Sequence, residues 1–170
     1  MKKRRKRKKK LPREIERRFK VKEVPKKLSR FSSHEIAQGY FRGRLRKKDG
    51  KYFITIKIGK GVARPELEGR ISKKLFKKLW PGTNGISLEK TRYDVPVPGP
   101  VKKGIAELDA FKGRLKGYHQ VEVEFNNLKA CRRFTPPPWF GEEVTDNPLY
   151  NNAELAKHGL PSRKKRTRAA

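Results

Sequence analysis

Acidic residues are scarce in this chain. Asp and Glu number 17 against 47 Lys and Arg in 170 residues, a formal net charge of +30. Cysteine is almost absent, because Cys131 stands alone. That excludes an internal disulfide and points to a reducing compartment. No apolar run approaches the ~20 residues needed to span a bilayer, and the basic start lacks the apolar segment of a signal peptide. A soluble, cytoplasmic protein without a membrane partner is expected. The three histidines (His34, His119, His158) have no metal-ligand spacing. There is no Gly-rich loop with a following Lys and no nucleophile motif around a Ser or around Cys131. Zinc hydrolysis, P-loop chemistry and Ser or Cys catalysis therefore have no support.

What is present is positive charge, and much of it lies at the ends. Nine charges fill residues 2–10 and five more fall within 163–168, which leaves +16 elsewhere. That remainder still attracts polyanions strongly. Runs of like charge repel and stay solvated, so residues 1–11 and 162–170 are read as disordered tails around one domain, 12–161. The tails offer loose contact with polyanions, nonspecific nucleic acid among them, but hold no aromatic residue for base stacking.

Between the tails the pattern is mostly two-fold alternation, the signature of strands with one apolar face. "REIERRFKV" puts Glu14, Glu16 and Arg18 on one side and Ile15, Phe19 and Val21 on the other. "YFRGRLRK" aligns Arg44 and Arg46, and Asp49-Gly50 then marks a hairpin into "YFITIKI" with Thr55 and Lys57 together. "PELEGRI" aligns Glu66 and Glu68, "ISLEKTRYDV" Lys90 and Arg92, "IAELDAF" Glu107 and Asp109, and "HQVEVEF" Glu122 and Glu124. Two helices interrupt: "SKKLFKKLW", capped by Ser72 with Leu75, Phe76, Leu79 and Trp80 as one stripe, and "NNAELAKHG", closing at Gly159. A short helical turn is also expected in "SRFSSHEIAQ".

The polar faces carry charges grouped by sign. A solvated face favours mixed signs, since like charges two residues apart repel unless something sits between them. The helices are too few to cover the apolar faces of so many strands. The expectation is a mainly β (α+β) fold, an eight-stranded antiparallel closed barrel with its charged faces inward and a few short helices outside or at its end. Such a lumen suits a polyanion held with a metal. Carboxylate oxygens favour Mg²⁺ or Mn²⁺, which bind by few carboxylates plus substrate phosphates. Arg and Lys neutralise the remaining phosphate oxygens. Phosphoryl transfer needs that combination.

"EIERRFKV" resembles the opening E-x-E-x-K signature of the CYTH domain, or triphosphate tunnel metalloenzyme family. "QGYF", "RGRLR", "ITIK", "RPELEG", "LEKTRY", "ELDAF", "VEVEF" and "PPPWFGEEVTDNPLYNNAELA" follow in the family's order, from about Arg13 to Pro161. The resemblance points to the small bacterial inorganic triphosphatases. It implies divalent metal (Mg²⁺ or Mn²⁺) on Glu14, Glu16, Glu122 and Glu124, and triphosphate on Arg44, Arg46, Lys57, Lys90 and Arg92. Glu66 and Glu68 are additional candidates for metal binding or for orienting the bases, and Trp139 belongs to a structural closing segment. The implied reaction is hydrolysis of tripolyphosphate to phosphate and pyrophosphate. The alternatives are a nucleoside or thiamine triphosphatase, an adenylate cyclase, or a non-catalytic module for polyphosphate or nucleic acid, in each case as a monomer or homodimer. One position departs from the signature: Arg18 stands where the family has Lys, paired in some members with a tyrosine like Tyr40. Arg18 and Tyr40 are thus the candidate catalytic pair. An arginine cannot give up its proton, so Arg18→Lys is expected to raise turnover.

Overall fold

The computed structural model describes residues 15–57 and 66–161, with the side chains of Lys57 and Glu66 excepted. The expected tails and Glu14 lie outside the described residues. Among the described residues there are nine strands: β1 (Ile15–Val21), β2 (Ser33–Tyr40), β3 (Arg44–Lys48), β4 (Lys51–Lys57), β5 (Glu66–Ile71), β6 (Ser87–Pro96), β7 (Ile105–Phe111), β8 (His119–Phe125) and β9 (Phe140–Glu143). The described residues also form three α-helices: α1 (Lys73–Leu79) and α2 (Leu128–Arg133) between strands, and α3 (Asn152–His158) after β9. No described helix is long and apolar enough to cross a membrane.

All strands join one sheet in the order β5-β4-β3-β2-β6-β7-β8-β1-β9, each neighbour antiparallel. This corrects the expected eight-stranded closed barrel. Among the described residues the sheet has nine strands, and no pairing closes it from β5 to β9. The reason lies at β1. Its second edge is taken by β9, which pairs Phe19 with Glu143 and Val21 with Phe140 across an irregular register. β9 is four residues behind a proline run and has no alternation to announce it.

Local chemistry explains most elements. Asp49 and Gly50 both adopt positive φ, 47° and 73°, as a two-residue hairpin turn requires. Ser72 caps α1 by accepting from the Leu75 amide at 3.1 Å. Phe76 of α1 is buried and stacks between Tyr52 and Trp80, whereas Leu75 stays exposed, so the expected apolar stripe is narrower. The turn expected in residues 29–38 shrinks to Leu28–Arg30. The rest is β2, because Ile36, Gln38 and Tyr40 alternate onto one face with partners on both sides.

Apolar packing separates the sheet's two faces. On the outer face, Phe19, Leu108, Val121, Val123 and Phe125 pack under Phe134 and Phe140, with Trp139 against them. That agrees with the structural role expected for Trp139. Each buried side chain of this size contributes about 1.5–3 kcal/mol. The inner face carries the charges. α3 covers one end of it, where Leu155 and Ala156 meet Leu88, Phe111 and Leu115. Gly159 ends α3 at a φ of 79°.

Candidate functional site

Alternation and register bring the expected polar residues onto one face. On the β1–β8 ladder, Glu16 stands opposite Glu124 and Arg18 opposite Glu122. On the next ladders, Glu122 faces Glu107, and Asp109 faces both Gln120 and Arg92. Arg46 faces Gln38, Arg44 faces Tyr40 and Thr55, and Thr55 faces Glu68. Lys57 pairs with Glu66 in the backbone register of β4 and β5. Gly43 allows β3 to begin close to β4, since a Cβ there would lie 2.5 Å from the Thr55 carbonyl oxygen.

The centre of the face is a dense charge network. Arg92 donates to both oxygens of Asp109 at 2.7 Å and to Glu122 at 2.6 Å. Its remaining terminal nitrogen donates to Glu107. Lys90, also buried, donates to Asp109 at 2.5 Å and to the Asn152 side chain at 3.3 Å. Asn152 in turn donates to Glu122 at 3.3 Å. Burial alone would raise the Glu122 pKa, but the charges of Arg92, Lys90 and Arg18 outweigh it and hold it at about 2. Burial raises the Glu107 carboxyl against the pull of Arg92. It lowers Lys90 despite Asp109.

A second group lies on β3, β4 and β5. Glu68 accepts from Arg44 at 3.1 Å, from Arg46 at 2.9 and 3.0 Å, and from Thr55 at 2.9 Å. These bonds join Arg44, Arg46 and Thr55 to one carboxylate. Arg46 also lies over Phe53, 5.7 Å from the ring centre. Burial and the neighbouring Arg44 lower its pKa.

Arg18 donates to the Asn151 side chain and lies 3.3 Å from Glu16. Its Nε and that of Arg46 are buried with no hydrogen-bond partner among the described residues. Tyr40 is not joined to Arg18: its hydroxyl accepts from Gln38 at 2.6 Å, and burial pushes its pKa well up. Three of the four expected metal ligands fall among the described residues, and of these Glu16 stands opposite Glu124. Glu14 lies outside them, Glu122 turns to Arg92, and Glu124 accepts from Lys102 at 2.6 Å. No described group of three or more His, Cys, Asp or Glu is arranged to hold a metal.

Sequence reasoning left Glu107 and Asp109 without a role, although their i, i+2 spacing matches that of Glu122 and Glu124. It placed Thr55 on the polar face without a role and missed Gln120, Asn151 and Asn152, whose positions depend on pairing and on where α3 docks.

Comparison with known proteins decides the family. The inorganic triphosphatase of Nitrosomonas europaea is 41% identical over 150 residues, 84% of this chain and 96% of the relative. The chain belongs to the CYTH family, with the inorganic triphosphatases. An inorganic triphosphatase of Acetivibrio thermocellus is 30% identical over 120 residues, 68% of this chain and 71% of that one. The crystal structure of the inorganic triphosphatase NE1496 matches with a TM-score of 0.65 and 38% identity, covering 86% of this CYTH chain and 95% of that one. A structure of HpAC1 from Hippeastrum, at 13% identity and a TM-score of 0.50, shares the fold. No protein-family model matches the chain.

Proposed function

We propose that this chain hydrolyses inorganic triphosphate with a divalent cation on the charged face of its sheet. The observation that carries the reading is the pair of buried arginine nitrogens, Arg18 Nε and Arg46 Nε, without an acceptor among the described residues. A buried donor left unpaired costs about 1–3 kcal/mol. A phosphate oxygen is the acceptor that such a basic face attracts, and it would satisfy both the hydrogen bond and the charge. The relatives named inorganic triphosphatase support the same substrate.

In this reading Arg44, Arg46 and Arg18 grip phosphate oxygens, while Lys90 and Arg92 stabilise negative charge beside Glu122. Lys57 adds a further base on β4. Glu16 and Glu124, directly opposed on neighbouring strands, supply hard oxygen donors suited to Mg²⁺ or Mn²⁺. Glu14 and Glu122 are the further donors that the resemblance implies. When bound, the cation supplies charge neutralisation and a water of lowered pKa. The Tyr40 hydroxyl, held protonated by its burial, acts as a hydrogen-bond donor to substrate. α3 closes one end of the face and excludes water there.

Phosphate release from tripolyphosphate, ATP and long-chain polyphosphate, each with Mg²⁺ or Mn²⁺, tests the reading. Release from tripolyphosphate is expected, with Glu122→Gln abolishing it. No release from tripolyphosphate with either cation would overturn the reading. Unchanged turnover in Glu122→Gln would remove Glu122 from the machinery.

A further inference from the structure

Asp109 is the most enclosed charge on the face, 0% exposed at the centre of β7. Three donors converge on it. Arg92 Nε reaches Oδ1 and Arg92 Nη2 reaches Oδ2, both at 2.7 Å, and Lys90 Nζ reaches Oδ2 at 2.5 Å. Two parallel bonds from one guanidinium to one carboxylate fix its plane and direction. Once Arg92 is held by that fork, its outer nitrogens point to Glu122 and Glu107. Lys90, held by the same carboxylate, is directed to Asn152 of α3. A single side chain thus sets the aim of two cations and, through one of them, of two carboxylates.

Stability does not explain this arrangement. A buried ion pair loses about as much in desolvation as it gains in attraction, and apolar residues of similar size often serve a fold equally well. Nor does charge balance explain it. A site for a polyanion gains nothing from a buried negative charge beneath its bases, unless that charge serves to place them.

We propose that Asp109 is a positioning residue of this site, acting through Lys90 and Arg92 on triphosphate and on Glu122. The inference rests on the triphosphatase reading for its substrate, but its prediction differs in sign from a simple charge effect. Asp109→Asn removes one negative charge beneath the bases. If Asp109 only balanced charge, tripolyphosphate would bind more tightly to the variant. If it positions Lys90 and Arg92, binding weakens.

The experiment uses the full chain. Titration calorimetry with tripolyphosphate in EDTA reads binding without any cation, and steady-state kinetics with Mg²⁺ or Mn²⁺ read kcat and KM. Asp109→Asn is expected to weaken cation-free binding roughly 10- to 100-fold, the worth of a hydrogen bond to a charged group, and to lower kcat as well. The loss should disappear in an Arg92→Gln, Lys90→Met background, where Asp109 has nothing left to place. It should persist in an Arg46→Met background. Equal or tighter binding by Asp109→Asn overturns the proposal, and so does a loss that adds in full to the double replacement of Arg92 and Lys90. Should Asp109→Asn fail to fold, Asp109→Glu keeps the charge but shifts it by one methylene. It is then expected to raise KM and lower kcat, and kinetics like those of the parent chain overturn the proposal. The calorimetry needs no turnover, so a chain that binds tripolyphosphate without cleaving it would fail the triphosphatase reading while leaving this inference testable.

Discussion

The charged face is built from two basic groups that look alike in sequence and differ in structure. On β6, Lys90 and Arg92 stand two residues apart, as Arg44 and Arg46 do on β3, and each pair shares one carboxylate, Asp109 of the adjacent β7 in the first case and Glu68 of β5, two strands away, in the second. Lys90 and Asp109 have side chains 2% and 0% exposed. Arg44 and Glu68 are 27% and 36% exposed. Arg92 has partners at all three of its nitrogens, whereas Arg46 keeps its Nε without one among the described residues. The position of each strand in the sheet accounts for this. β6 lies between β2 and β7, beneath α3, while β5, which supplies Glu68, ends the sheet. The same local pattern yields an enclosed, self-satisfied lattice in one place and an open grip in the other. The enclosed group is suited to fixing geometry, and the open group to meeting a ligand.

The sharpest break comes from Arg92→Met. It takes the guanidinium from Asp109, Glu122 and Glu107 and leaves Lys90 and Asn152 as the remaining donors to the first two, and removing one partner of a buried pair costs about 3–5 kcal/mol. Thermal or urea unfolding of the two chains should show that loss. Next is acid. Glu122 is held at about 2 in the folded chain by Arg92, Lys90 and Arg18, against its burial, and lies near 4.3 when unfolded. A depressed pKa gives stability that is complete above about pH 4.3 and lost as the pH falls through 2. Unfolding followed from pH 6 to 2 should show this decline, and Glu122→Gln should flatten it. A decline that persists in Glu122→Gln would place the acid sensitivity elsewhere.

The open group should respond in the opposite sense. Arg46→Met removes a half-exposed ion pair, which contributes within about 1 kcal/mol of stability. Its effect falls on substrate: KM for tripolyphosphate is expected to rise roughly 10- to 100-fold, the worth of charge-assisted hydrogen bonds. If Arg46→Met proves as destabilising as Arg92→Met, the contrast between the two groups fails.

Much of this was legible in the sequence. Alternation placed Arg44, Arg46, Lys90, Arg92, Glu16, Glu122 and Glu124 on one face, and the structure agrees. The caps at Ser72 and Gly159 and the Asp49-Gly50 turn were visible because each depends on a local rule. What alternation does not encode is the distance between faces several strands apart, or what covers them. The family resemblance implied a metal ligand at Glu122, while its nearest partner is Arg92, two strands away. Asn151 stands at the N-cap of α3 and Asn152 begins it, as polar residues do at the start of many helices. Only the docking of α3 through Leu155 and Ala156 carries them to Arg18 and Lys90. β9 was invisible for a related reason, since its four residues follow the edge of β1 rather than a pattern of their own.

The smallest expected effect is at the residue that departs from the family signature. Arg18 belongs to neither group. It stands opposite Glu122 on the enclosed side, yet its Nε lacks a partner among the described residues, as Arg46 Nε does on the open side. Its terminal nitrogens divide between Asn151 and Glu16. A lysine has one nitrogen on a flexible stem and cannot make both contacts in that geometry. Arg18→Lys should therefore lower the unfolding temperature slightly, by an amount that corresponds to about 1 kcal/mol or less. A lysine can also lose its proton in a crowded basic site, which an arginine does not. Turnover of tripolyphosphate by Arg18→Lys is expected to rise a few-fold, and the rise should grow toward alkaline pH as the ammonium deprotonates. The pH profile of kcat for the two chains checks this directly. A fall in kcat at every pH would show that bracing Asn151 matters more than proton handling, and would make Arg18 part of the enclosed lattice rather than a weakened catalytic position.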